Sequence, residues 1–322
     1  MTTTPGPSLP RSLGTRLRDL PVHRLGAADL AACSDLAQSR GWGREEHKWR
    51  LLLTSGQGYG VEAPDRPGTL IGACVLTSYG PLPPTVSGAG LDPGTGAACV
   101  GMMLVAERCE RQGLGRRLLE HAVAEAGDAL LFLYATDNGR PLYERLGFRA
   151  AGTVTSLRGR LPASDGESDA ADGSAPYVRP ATATDLPAVR ALDAHAFGAD
   201  RGQLLDRLPR FADGLVVADA GDGSLRGFGA AWPNGPGGTV VGPVVALDTA
   251  TAQALVRDLG EHTAGDIRLD IDGRHEGLET WARRHGLEGS CLCTRMIHGS
   301  GSGSRPLGDA SRRFAPYSVA LG

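Results

Sequence analysis

The sequence predicts a mixed α/β protein built as two tandem domains of one type, and three observations predict it. The chain has 322 residues, 41% of them hydrophobic, which suits two cores better than one. Its apolar residues recur at strand spacing and at helix spacing in successive segments, the pattern of a mixed sheet with helices on its faces. The two halves also repeat each other in order.

The repeat sets the elements. VHRLGAADL (22–30) aligns with VRPATATDL (178–186), each a strand followed by Asp29 or Asp185 at the first turn of a helix. LIGACV (70–75) aligns with LRGFGA (225–230), VGMMLV (100–105) with VGPVVA (241–246), and ERLGF (144–148) with RRHGL (283–287). The first half predicts strands at 20–25, 58–63, 69–78, 98–105, 129–135 and 148–156. Its helices fall at 27–39, 43–52, 114–126 and 139–146. The second half predicts strands at 176–179, 214–219, 224–232, 238–246, 266–271 and 289–297, with helices at 184–196, 249–262 and 275–285.

The expected organisation is a disordered leader (1–18), a first domain (19–158), a linker (159–176), a divergent second domain (177–298) and a flexible segment (299–322). The linker is polar and rich in small residues. The end of the last segment, RRFAPYSVALG, is apolar and is expected to order against a sheet edge or the domain interface. The Pro/Gly-rich loop 80–97 is long enough to cover a substrate or to be a plain insertion.

A net charge of -3 argues against nucleic acid or an anionic membrane as partner. No apolar run reaches the roughly 18 residues of a spanning helix, and the first residues lack the apolar core of a signal peptide. The six cysteines read as small buried hydrophobes, and Cys291 and Cys293 have no zinc-spaced companions. A cytoplasmic protein without a metal is expected, as monomer or homodimer.

The most informative segment is 100–126. An apolar strand enters a polar turn, Arg111-Gln112-Gly113-Leu114-Gly115-Arg116-Arg117, which opens an amphipathic helix with Leu114, Leu118, Leu119, Ala122 and Ala126 on one stripe. A helix start offers unpaired N–H groups and the positive end of the dipole. Gly113 and Gly115 let a ligand approach that backbone. Alone, the glycines would equally serve a tight turn; between strand and helix they make a pyrophosphate cradle. The spacing is neither the dinucleotide-binding fingerprint nor a P-loop.

With these residues the chain resembles the GNAT superfamily of N-acetyltransferases. The family pattern [Q/R]-x-x-G-x-[G/A] falls on Glu110 to Gly115, with Glu110 departing at its first position. Leu142 to Phe148 matches a second family landmark, the last helix and the turn into the last strand. The first half resembles a standard domain. The second resembles the Acetyltransf_18 type, through GFGAAW (227–232) and VGPVVALD (241–248).

The resemblance implies two tandem GNAT-like domains, the second degenerate, and an acetyl-CoA-dependent N-acetyltransferase acting on a primary amine in a ternary complex. The amine of a small molecule is the first expectation. A protein or peptide amine is the alternative, and an inactive acyl-CoA-binding sensor or interaction protein is another. Acetyl-CoA contacts are implied at Met103, Leu104, Val105, Arg111, Gln112, Gly113, Leu114, Gly115, Arg116, Asn138 and Tyr143. Tyr143 is implied as the acid that protonates the leaving thiolate, and the Leu104 N–H as oxyanion donor.

Other assignments stay open on the residues. Glu45 or Glu46 can serve as general base or belong to a solvated helix face. Trp42 and Trp49, seven apart, can share a helix face and floor a pocket or be plain core. Tyr79 or Tyr59 can line the acceptor pocket or pack on the sheet. Asp270 and Asp272 share a strand face and can bind a cationic acceptor or end a strand. The second half has no Gly-x-Gly cradle, and Ala282 stands where Tyr143 would be.

Overall fold

The computed structural model describes residues 17–81, 96–162, 176–235, 238–298 and 308–322. Most of the expected leader and linker, the middle of the 80–97 loop and the start of the final segment lie outside these residues. The chain divides into two compact units, 1–75 with 102–125, and 76–101 with 126–322. This division does not follow the sequence halves.

In the first unit, β1 (His23–Leu25) pairs antiparallel with β2 (Gln57–Ala63), and β2 neighbours β3 (Arg66–Pro81). Between β1 and β2 lie α1 (Leu30–Ser39) and α2 (Glu46–Ser55). The Asp29 carboxylate accepts the Gly26 N–H at 2.8 Å and so closes the turn into α1. The end of β4 (Gly96–Val105) leads through a polar turn to α3 (Leu114–Ala126). Leu114, Leu118, Leu119 and Ala122 are buried on α3, as the stripe predicts. The helix packs close because β3 presents Gly72: a Cβ there would lie 2.9 Å from Leu118 and 3.1 Å from Leu114.

The second unit takes the remaining parts of β3 and β4. Then come β5 (Leu130–Ala135), α4 (Arg140–Arg145) and β6 (Arg149–Gly159). The second half supplies β7 (Tyr177–Pro180), α5 (Leu186–Phe197), α6 (Gly202–Leu205), α7 (Leu208–Phe211), β8 (Gly214–Asp219), β9 (Leu225–Pro233) and β10 (Gly238–Ala246). It ends with α8 (Thr249–Glu261), β11 (Asp266–Asp272), α9 (Glu276–Arg284), β12 (Glu288–His298) and β13 (Arg313–Ala315). At the start of α5, Asp185 accepts the Thr182 N–H at 2.7 Å and both ends of the Arg179 guanidinium. The two aligned aspartates therefore close the same turn in each half.

Strand order in this unit is β3-β4-β5-β12-β6-β11-β10-β9-β8-β7, with β13 beside β10. β4–β5 and β10–β11 are parallel pairs, the corresponding places of the two repeats. The last strands are exchanged. β12 pairs antiparallel with β5 and with β6, so it separates two consecutive strands of the first half. β6 in turn pairs with β11 of the second half. Leu157 and Leu161, from the first half, lie in the same core as Leu269, Ile271, Leu278, Trp281 and Leu287. This exchange is why the units cut across the sequence halves.

All six cysteines are free thiols, and Cys291 alone is exposed. Burial pushes the Cys33, Cys74 and Cys293 thiols up to about 12. Reaction of the native protein with an aromatic disulfide reagent is therefore expected to show one fast thiol, and the other five only after denaturation.

Candidate functional site

In the first unit, the turn between β4 and α3 has the shape of an anion cradle. In this turn Arg111 at φ +57° and Gly113 at φ +87° take left-handed conformations that turn the chain sharply, and Met102 takes one at φ +50° inside β4. The first helical bond of α3 runs from the Arg117 N–H to the Gly113 carbonyl at 3.0 Å. The N–H groups before it have no acceptor within the helix. Arg111, Gln112, Gly113 and Arg116 are exposed around this end, and Leu114 anchors it in the core. Arg116 pairs with Glu120 at 2.7 Å along the helix. Glu110, at the departing position of the motif, pairs with Arg40. Leu104 is buried, while Met103 and Val105 are half-buried.

The same unit holds the proposed bases. Glu45 is buried and ion-paired with Lys48. Glu46 is exposed and meets Arg44 at 3.3 Å. The helix starts at Glu46, so Trp42 precedes it and is exposed, whereas Trp49 is buried on α2. The two tryptophans do not share a helix face, because the second helix begins three residues later than the spacing predicts. A cleft of about 380 Å³ in this unit, lined by Leu36, Arg66, Leu70 and Glu107 among others, contains none of the expected site residues.

In the second unit, the parallel ladder of β4 and β5 runs from Ala97–Leu130 to Val100–Leu133 and stops. Tyr143 is buried on α4, edge-on to Phe148 at 6.0 Å. Asn138 is exposed in the turn before α4. Tyr79 is a core residue and not part of an open acceptor wall. It is buried between Phe132 and Phe197, and its hydroxyl donates to the Leu321 carbonyl. Burial pushes its phenol well above the ordinary range.

Asp270 and Asp272 do share one face, but arginines of this chain hold both. Arg268 Nε donates to Asp270 at 2.8 Å, and Ser156 shares that carboxylate at 2.5 Å. Arg274 grips Asp272 through both oxygens, at 2.9 and 3.0 Å, and Arg313 lies 3.7 Å away. Neither carboxylate is left over for a cationic acceptor. The alternation Arg268, Asp270, Asp272, Arg274 carried this signal, since residues two apart on a strand are neighbours. Sequence reasoning also passed over Arg295, a lone charge inside the apolar strand CLCTRMIH.

In the second repeat the two corresponding places are closed by the chain itself. At the start of α8 the Asp248 carboxylate accepts the Thr251 N–H at 2.8 Å and pairs with Arg226 at 2.5 Å. Burial opposes its ionisation, but Thr251 and Arg226 hold it below the usual carboxylate range. A negative group thus already caps the helix end that would receive phosphate. The β10–β11 ladder ends at Val241–Leu269, and β13 pairs with β10 just beyond, at Val244 and Val245. The chain's own strand occupies the place where the two parallel strands part.

Comparison with known proteins agrees with this architecture. Two family models, each described as an acetyltransferase (GNAT) domain, match residues 67–150 and 189–308. An uncharacterized N-acetyltransferase of Bacillus subtilis (strain 168), YitH, is 26% identical over 241 residues, spanning 72% of this chain and 75% of the relative. The fold matches a candidate acetyltransferase from Pyrococcus horikoshii with TM-score 0.73 at 16% identity, over 97% of this chain and 98% of the other. It also matches a tandem GNAT protein from the clavulanic acid biosynthesis pathway, with TM-score 0.58 at 17% identity, over 86% and 98% of the two chains. With its two parallel strand pairs, its cradle in one repeat and a capped helix in the other, the chain belongs to the GNAT superfamily of acetyltransferases, in a tandem form.

Proposed function

We propose that the protein transfers an acetyl group from acetyl-CoA to a primary amine of a small molecule, using its first repeat. The observation that carries this reading is the contrast between two corresponding helix ends. The start of α3 is a glycine turn with exposed arginines, whereas the start of α8 is closed by Asp248. A pyrophosphate suits the first and is repelled by the second.

In this reading the turn from Arg111 to Arg116 holds the pyrophosphate. Met103 to Val105 offer backbone to the pantetheine arm, with the Leu104 N–H receiving the oxyanion, and Asn138 adds a cofactor contact. The amine nitrogen attacks the thioester carbonyl and forms the C–N bond. The C–S bond breaks, the thiolate takes a proton from the Tyr143 hydroxyl, and the amine loses its proton to a base or to water. Of the two carboxylates offered for that last step, Glu46 is the more accessible, since Glu45 is buried against Lys48.

The test is release of free CoA from acetyl-CoA over a panel of amino acids, polyamines, aminoglycosides and lysine peptides. Turnover is expected on a small-molecule class. Tyr143→Phe is expected to lower kcat about 10²-fold while calorimetric acetyl-CoA affinity stays unchanged. Acetyl-CoA binding without turnover on any amine would point to a sensor, and failure to bind acetyl-CoA would sink the reading altogether.

A further inference from the structure

The face shared by β5, β6, β11 and β12 buries more positive charge than it neutralises. Arg295 is only 3% exposed and Arg313 only 2%. Arg295 donates one bond, to the Ala151 carbonyl at 3.0 Å, and its Nε is buried with no partner. One terminal nitrogen of Arg313 is likewise buried without a hydrogen bond; its nearest carboxylate oxygen, on Asp272, is 3.7 Å away. Arg274 already claims both oxygens of Asp272. Arg274 and Arg313 therefore share one carboxylate, and no ion pair joins Arg295 to a carboxylate among the described residues.

Two of these groups, Arg274 and Arg295, converge at Gly152. A Cβ there would lie 3.7 Å from an Arg274 nitrogen and 3.8 Å from Arg295 Nε, so two guanidinium groups flank a spot that no side chain fills. Arg295 faces Tyr134 directly across the β5–β12 ladder. Both Arg295 and Arg313 act electrostatically on the Tyr134 hydroxyl. Arg313 is held in place by β13, where the His275 ring stacks on Phe314 at 3.7 Å and its Nε2 meets the Arg313 carbonyl at 3.0 Å. Burial, and then the charge of Arg313, pull Arg295 down to about 10. Buried guanidinium donors left unpaired are costly, and an incoming anion removes that cost. A carboxylate has two oxygens, one for the unpartnered donor of each arginine.

We infer that Arg295 and Arg313 bind the carboxylate of the acceptor, which makes the acceptor an amino acid. The inference rests on the acetyl-transfer reading for the acceptor's amine. Tyr134, opposite Arg295, follows the last β4–β5 ladder pair, Val100–Leu133. Arg295 and Arg313 would hold one end of the acceptor, and the amine would extend from the other.

The test compares each of the twenty amino acids with its amide and with its decarboxylated amine. Binding is measured by calorimetry on the full chain with CoA present, and turnover by CoA release from acetyl-CoA. At least one amino acid is expected to bind at least 100-fold more tightly than its amide. Arg295→Gln is expected to erase that discrimination, and Arg295→Lys to restore part of it. The acid–amide comparison uses the unmodified protein and stands even if a variant misfolds. Amino-acid binding with this preference but no CoA release would support the carboxylate site and overturn acetyl transfer. Turnover on amines, amides and acids alike would keep acetyl transfer and overturn the carboxylate site. Binding of no amino acid, or tighter binding of phosphoethanolamine, would overturn it too.

Discussion

A chain cut within residues 163–175 is expected to remain one particle. A protease site placed there should yield two fragments that elute together, at the size of the uncut chain, at micromolar concentration. They should separate only in denaturant. The reason is the strand exchange: β12 lies between β5 and β6, and β6 lies between β12 and β11. Pulling the fragments apart would strip Leu157 and Leu161 from a core shared with Leu269, Leu278 and Trp281. It would also free the edges of β5 and β6. Each apolar side chain exposed costs about 2 kcal/mol, against a whole-domain stability of about 5–15 kcal/mol. Three or four such losses are decisive before any hydrogen bond is counted. For the same reason residues 1–162 made alone should aggregate through an unpaired strand edge. Fragments that drift apart in buffer, or a soluble monomeric first half, would show that each half completes its own sheet.

That exchange also marks where sequence reading stops. Alternation along a strand fixes which residues share a face, but not which strand lies alongside. The apolar runs at 148–156 and 289–297 mark β6 and β12 as strands; nothing in them says that the two trade places. The α3 stripe was legible because 3.6-residue periodicity is a local property. So was the turn at Gly113, whose left-handed φ only glycine takes without strain. The Asp29 and Asp185 turns were legible because the interaction spans three residues.

The anion site was not legible as a unit, since Tyr134, Gly152, Asp272, Arg295 and Arg313 come from five separate strands or strand ends. Each is a single unremarkable letter until the pairing brings them together. Tyr79 stayed open between pocket and packing for a related reason. An aromatic late in a strand can face a pocket or a neighbour, and here Leu321, 242 residues on, takes its hydroxyl. The short helices α6 and α7 were also missed, because four-residue elements carry too little periodicity to register.

Arg201→Met is expected to lower stability by about 3–5 kcal/mol, read from urea denaturation. Arg201 and Asp193 are 1% and 0% exposed as a pair, joined at 2.6 and 3.0 Å. The guanidinium also stacks over Phe197 at 4.0 Å and donates to the Gly322 carbonyl. Removing it leaves a fully buried carboxylate alone. Arg201→Met with Asp193→Leu should cost much less than the single change, because no charge is then stranded. The sign of the pH effect follows. An unpaired buried carboxylate has its folded-state pKa raised above the unfolded value of about 4. The single variant's deficit is therefore full above that raised pKa and shrinks as pH falls towards 4.

A second readout separates a local effect from general weakening. Cys99 Sγ lies 3.6 Å from the Ala320 carbonyl, and at Gly101 a Cβ would collide with that same carbonyl. Residues 317–322 thus cover this part of β4. If Arg201 anchors them through Gly322, the single variant should show Cys99 as a second fast thiol beside Cys291 under native conditions. Arg313 belongs to the same ordered segment, so acid-over-amide discrimination should weaken in step with Cys99 exposure. Loss of stability with Cys99 still protected would confine the role of Arg201 to neutralising Asp193, and the segment that carries Arg313 would then owe its position to β13 alone.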